Sequence, residues 1–456
     1  MDRQALDDLY RGAGSSPYDP LVLLKMVLYQ NLKGRRSPAT WFEEAKLNEA
    51  MQWLGRGYAP ARRTWYDFRD RVGDGVLQLH QQLIERAMEQ GLLDPEVGVQ
   101  DGTSVAACAS RHQMVNRETL GRRRKLLQEL IDQSKPPPVP LPVWVPPTDS
   151  GRQNLADRMQ TATEILDARI AENAARPSGK RKDPSKIQVS LTDPVAPLGR
   201  DKMKVFRPLY TVQYVVEPVS RLILSFSCDS VVTDTGTLIP MVDKTQQIVD
   251  DRLKTMLADA AYCSILDLRD CAEREVELLA PVQANSFTEK KQQAKPDQQI
   301  PRSEFRFDSE ENCYWCPCGY KLSYVDRERK KRHGGRTLWE FRYRSDPVHC
   351  ASCSVAASCF RSNSSRRTIK RLEGQELLDA QRAKMSDPEV KSRYALRGQT
   401  VELGFADAKG HRGLNRFHGR GPRRASTETA LLVLAQNLLR LDRLQRGSLN
   451  SRKTIT

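Results

Sequence analysis

Apolar positions in residues 1–95 recur every three to four places, the spacing of helices with one buried face. Asp19-Pro20 opens an apolar helix, with Pro20 suited to the first turn. Trp41 to Leu54 and Arg62 to Val72 continue the pattern, and Val76, Leu77, Leu79, Leu83 and Ile84 predict a helix over Gly75 to Gly91. Val97 to Gln100 then reads as a strand ending at Asp101-Gly102-Thr103, where a glycine after an acid marks a sharp exit. Residues 104–187 look inserted. They hold a charged helix from Arg117 to Asp132 and a Pro136–Pro147 linker with seven prolines in twelve positions. Such a linker is extended and stiff. A second helix over Gly151 to Ala175 and a basic loop at Lys180 to Lys182 complete the insertion.

Strand patterning returns with β-branched and aromatic residues in Gln188–Thr192, Tyr210–Val216 and Leu222–Cys228. A helix over Thr237–Asp250, a strand over Thr255–Ala258 ending at Asp259, a helix over Ile265–Arg274 and a strand over Val276–Val282 follow. The alternation predicts an α/β core built on a mixed sheet. Residues 285–370 are polar, basic and rich in cysteine. Helices resume over Gly374–Met385, Glu389–Lys409 and Thr427–Gln445, with Ala430 to Leu441 facing the core. The expected organisation is a helical module at 1–95, a core at 96–284 carrying the 104–187 insertion, a cysteine-rich insertion at 285–370, a helical return to the core at 371–446, and a tail at 447–456.

Charge narrows the class of partner. The 456 residues carry a net charge of +16 and a pI near 9.4, which calls for a polyanion. No apolar run reaches the roughly 18–20 residues of a membrane span. The best stretch, Leu21 to Leu28, is broken by Lys25. The amino-terminal residues resemble no secretion signal. These features predict a cytoplasmic, nucleic-acid-bound protein, and basic pairs Arg35-Arg36 and Arg62-Arg63 suggest that the helical module grips a DNA backbone.

Asp101 and Asp259 each follow a strand, where α/β proteins place ligand groups. Glu402 lies on a helix, and Lys409, two turns later, shares its face. Three carboxylates that meet need counter-charge. Two Mg²⁺ (or Mn²⁺) ions, roughly 4 Å apart, would supply it and would serve an in-line phosphoryl displacement. Lys409 to Arg424 carries six Lys or Arg and no acid. Arg412, Arg416 and Arg420 there suit DNA phosphates. Phe417 would stack on a base or pack internally, and His411 and His418 would be phosphate contacts or surface residues.

The Asp-Gly-Thr at 101–103, Ala258-Asp259-Ala260-Ala261-Tyr262, and Tyr394, Arg397, Glu402 and Lys409 resemble the motifs of the DDE transposases of bacterial insertion sequences. Ser16-Pro17-Tyr18-Asp19-Pro20, Thr192-Asp193-Pro194 and Arg200 to Phe206 are similar to segments of one subgroup, which has an N-terminal helical domain and a cysteine block before its glutamate. The spacing departs in one place: four residues separate Arg397 from Glu402 where related signatures have three. The resemblance implies an RNase H-like fold with Asp101, Asp259 and Glu402 as the catalytic, metal-holding acids, and with Lys409, Arg397 and Tyr394 on DNA phosphates. It implies cutting of transposon ends in double-stranded DNA and joining of the freed 3′-hydroxyl to target DNA by a nucleoid-associated homodimer. The alternatives are an endonuclease of the same fold without strand transfer, and an inactive DNA-binding derivative.

Six cysteines crowd into Cys313–Cys359, with Cys-x2-Cys pairs that read as structural zinc in a reducing compartment. Cys350, Cys353 and Cys359 supply three ligands. Cys316, in Cys-Pro-x-Gly, best matches the family's fourth, with Cys313 or Cys318 as substitutes. An iron–sulfur cluster is the other reading.

Overall fold

A computed structural model describes residues 3–10, 18–132, 140–176, 178–283, 300–360 and 364–453. The expected motif residues Ser16 and Pro17, the linker residues 136–139 and the last tail residues 454–456 lie outside these. Contacts divide the chain into two compact units. One comprises Met1–Asp234, Met241–Met256 and Leu396–Thr456; the other comprises Thr235–Pro240 and Leu257–Ala395. The architecture is mixed α/β with N-terminal helices, consistent with an RNase H-like core.

In the first unit the expected helices form over Pro20–Leu32, Arg62–Arg71 and Gly73–Glu89. Asp19 caps the first by accepting from the Leu21 amide. The predicted Trp41–Leu54 helix is two helices, Pro38–Leu47 and Glu49–Leu54, because Asn48 leaves the helical conformation and its side chain caps the second. Trp41 and Trp65 meet edge to face at the buried centre of this module. Helices Arg117–Ile131 and Asp149–Ala174 close their own small core around Leu127, Met159 and Leu166.

The central sheet runs Leu198–Arg200, Phe206–Val216, Val97–Ala106, Thr255–Leu257, Glu277–Leu279, and Ile223–Asp229 also pairs with Phe206–Val216. One expectation is corrected here. The first strand does not exit at Asp101 but continues to Ala106, paired antiparallel with Phe206–Val216 so that Asp101 faces Tyr214 and Gly102 faces Gln213. Gly102 marks close approach. A Cβ there would lie 2.4 Å from both the Gln213 amide and the Asp234 carboxylate. The Pro422–Lys453 helix buries Ala430 to Ala435 without interruption, as its sequence predicted.

The second unit holds helices Ile265–Glu273 and Gln375–Lys384 and a five-stranded antiparallel sheet that the sequence pattern did not predict. Its order is Thr368–Leu372, Thr337–Ser345, Lys321–Lys331, Cys313–Trp315, Arg306–Asp308. Phe305, Tyr314, Leu322, Tyr343 and Ile369 form its core.

Candidate active site

The helix Pro388–Gly410 carries Tyr394, Arg397, Glu402 and Lys409, and the boundary between the units falls within it. In the second unit, the Tyr394 hydroxyl donates to the carbonyl of Ala258 at 3.2 Å, the residue before Asp259. In the first unit, the Arg397 guanidinium stands 3.4 Å from the Asp101 carboxylate, both largely buried. Farther along, the Lys409 ammonium donates to the carbonyl of Ser104 at 2.9 Å, three residues beyond Asp101.

Packing explains why this helix lies against Asp101. Tyr214, the cross-strand partner of Asp101, stacks on Phe405 with ring centroids 4.5 Å apart and planes 14° from parallel. Paired residues of an antiparallel ladder share a face. Phe405 follows Glu402 by three residues, neighbouring positions on a helix. The Tyr214–Phe405 stack therefore holds the Glu402 turn over the face of the sheet that presents Asp101. Neither Tyr214 nor Phe405 stood out in the sequence, where an aromatic on a strand or helix reads as ordinary core.

Each acid has its own setting. The Asp101 carboxylate accepts from the Gly102 amide at 2.8 Å. Asp259 caps a short 3₁₀ turn, accepting from the Ala261 amide at 2.7 Å. Glu402 is exposed. Among the described residues no group of three His, Cys, Asp or Glu stands ready to hold a metal ion. Burial, and secondarily Lys202, push the Lys409 ammonium down to about 8.

The basic loop after this helix is anchored. The Asp193 carboxylate, part of the Thr192-Asp193-Pro194 segment, accepts from the Gly421 amide at 3.0 Å and from the Tyr210 hydroxyl at 2.9 Å. Glu428, buried on the Pro422–Lys453 helix, accepts from the His418 and Gly419 amides. Arg36 meets Glu428 at 3.4 Å, with both side chains only 1% exposed. This corrects the reading of Arg36 as a DNA contact: its charge is spent inside. Phe417 packs instead of offering a stacking surface, at 5.8 Å from Tyr210 and 5.7 Å from the Arg36 guanidinium. Arg412 bonds Asp407 and the carbonyl of Leu32. Arg416 reaches the carbonyl of Ala109 at 3.2 Å yet stays exposed, as does Arg420.

In the second unit, Cys316, Cys318, Cys350, Cys353 and Cys359 line one cavity of about 20 Å³ with Ser345 and His349. The Cys318 and Cys353 sulfurs are 3.7 Å apart. Cys313 is buried in its strand and does not line the cavity.

Two stretches match known families, and both are transposase families. Residues 315–442, spanning the cysteine cavity, Glu402 and the basic loop, match the model described as "Transposase DDE domain". Residues 1–71, the N-terminal helices, match "Transposase domain (DUF772)". Both matches support a DDE transposase of insertion sequences. No curated protein matches it. Among the described residues no helix is long and apolar enough to cross a membrane.

Proposed function

We propose that the protein cuts the ends of an insertion sequence and joins them to target DNA, with Asp101, Asp259 and Glu402 as its catalytic acids. One observation carries this reading: a single helix sends Arg397 to Asp101, Tyr394 to the carbonyl before Asp259, and Lys409 to the strand beyond Asp101. The same helix bears Glu402.

The donor chemistry fits a pair of Mg²⁺ or Mn²⁺ ions, since the three acids offer oxygen only. Such ions, when bound, stabilise charge on the attacking and leaving oxygens of a phosphodiester. Asp101, Asp259 and Glu402 would hold them. Arg397 offsets the charge of Asp101 and shares that carboxylate with whatever cation binds there. Lys409, and the exposed Arg416 and Arg420, would bind DNA phosphates and orient the scissile strand. Two transposon ends handled together favour a homodimer on DNA.

The cysteine cavity fits a single structural zinc. At a Zn–S distance of about 2.3 Å a tetrahedral site has sulfurs about 3.8 Å apart, close to the Cys318–Cys353 separation. The ligands would be drawn from Cys316, Cys350, Cys353 and Cys359, with Cys318 able to replace one of them. Metal analysis of the purified chain should find about one zinc; neither zinc nor iron at that level would remove the assignment.

The deciding assay supplies Mg²⁺, duplexes bearing the element's ends and a supercoiled target. Wild type should nick the ends and give joined product. Asp101→Asn, Asp259→Asn and Glu402→Gln should each bind the duplex yet neither cut nor join. Nicking without joining by wild type would leave a nuclease. Full cutting by a variant would remove that acid from the site.

A further inference from the structure

We infer that the hairpin formed by Lys321–Lys331 and Thr337–Ser345 is a second DNA-backbone contact, made by Arg327 and Arg329 around Trp339. The inference rests on the transposase reading and extends it to a surface remote in sequence from the acids.

The two faces of this hairpin are charged in different ways. Partners in an antiparallel register share a face, and residues two apart along a strand share it too. The register pairs Arg327 with Phe341, Glu328 with Glu340, Arg329 with Trp339, and Lys330 with Leu338. Glu328, Lys330, Leu338 and Glu340 therefore lie on one face, and Arg327, Arg329, Trp339 and Phe341 on the other.

The first face is neutralised by ion pairs. Lys330 meets Glu328 at 2.8 Å and Glu340 at 3.8 Å, and Lys370 of the adjoining strand meets Glu340 at 3.0 Å. Leu338 packs with Ile265 and Leu378 of the neighbouring helices. At the hairpin's end Arg336 pairs with Asp270 at 2.6 Å.

The other face keeps its cations. Both acids between Arg327 and Phe341 sit on the first face. Arg327 and Arg329 are exposed, and each lays its guanidinium on the Trp339 ring, at 4.3 and 4.8 Å from the ring centroid. An arginine stacked on an aromatic ring retains the N–H edge that bonds a phosphate, and it has lost part of its rotamer freedom before binding. Two such guanidiniums flanking one ring make a preset double contact for a backbone carrying a phosphate every few ångströms. At the Gly334-Gly335 tip φ is +68° and +76°, backbone that favours glycine in a tight turn.

The test measures binding of the full chain to duplex DNA lacking element ends, by fluorescence anisotropy over a series of salt concentrations. Replacing both arginines, Arg327→Gln with Arg329→Gln, should lower the slope of log affinity against log salt by about 1.8, at about 0.9 per phosphate contact. Arg327→Lys with Arg329→Lys should keep the slope and weaken binding, because charge survives and stacking is lost. Lys370→Gln, on the neutralised face, should leave the slope unchanged. A double Gln variant that melts like wild type and keeps the wild-type slope would overturn the inference. So would a wild type that binds no duplex, or one whose arginine variants lose only binding to anionic phosphatidylserine vesicles. Failure of the transposase reading would appear elsewhere, as a wild type that binds duplex but never cuts it.

Discussion

Glu428→Leu should cost far more stability than its distance from the candidate acids suggests. The carboxylate accepts from two backbone amides, His418 and Gly419, and faces Arg36 at 3.4 Å where neither side chain sees water. Removing it leaves the guanidinium with one protein acceptor, the Gly413 carbonyl at 3.1 Å, and leaves both amides unsatisfied. Breaking a buried pair costs about 3–5 kcal/mol, and each orphaned amide adds about 1–3 kcal/mol where water cannot enter. The expected loss is about 5 kcal/mol, a large part of the total for most domains. Arg36→Met should cost less, about 3 kcal/mol, because the acid keeps its two amides. Burial also already raises the Glu428 carboxyl above its usual range, so it can take up a proton. With its folded pKa above the unfolded one, the native state binds the extra proton, and the Arg36→Met protein should therefore gain stability as pH falls. The assay is hydrogen exchange across a urea series, followed on the amides of Val22–Asn31 and Glu428–Asn437. A Glu428→Leu loss under about 1 kcal/mol, or a larger loss for Arg36→Met than for Glu428→Leu, would refute the reasoning.

Other outcomes are expected. His80 is fully buried, bonded through Nε2 to the Ile223 carbonyl at 2.9 Å, and burial holds its imidazole down to about 4. The unfolded chain binds that proton first, so stability present above about pH 6.5 should fall by about 2 kcal/mol between about pH 7 and pH 5. His80→Leu should flatten this pH dependence in urea midpoints; an unchanged slope would exclude His80 as its source. Strand cutting should decline as pH rises through about 8, where Lys409 discharges; Lys409→Arg should carry its activity to higher pH, and a matching decline in that variant would point to another group. Chelating the zinc proposed for the cysteine cavity should expose amides of Thr337–Ser345 to exchange while those of Val97–Ala106 stay protected.

Much of the core was legible because periodicity and capping are local. Asp19 before Pro20, the apolar Leu222–Leu224 and Phe226 ahead of Cys228 and the apolar Ala430–Ala435 stretch state their own structure. The choice of acids rests on resemblance, since any acid beside a strand can be a turn or cap residue, as Asp259 partly is. The extra sheet was hidden because its longest strand, Lys321–Lys331, is exposed along most of its length. Cross-strand ion pairs such as Lys330–Glu340 stand there in place of an alternating apolar face, and a charge run in sequence reads as a solvated loop. Arg36 misled for the converse reason: its partner Glu428 lies 392 positions away, and no local pattern announces a buried ion pair.

The division of the chain has a consequence for synthesis. The stretch Leu257–Ala395 belongs to a single unit, whereas the strand that carries Asp101 belongs to a unit completed only by Leu396–Thr456. A ribosome will have released the cysteine cavity and the arginine hairpin while Arg36 still waits for its carboxylate and Tyr214 for its stacking ring. A product that stops early would keep the hairpin's cations and lack Glu402, so the proposed DNA contact would form before the proposed set of acids is complete.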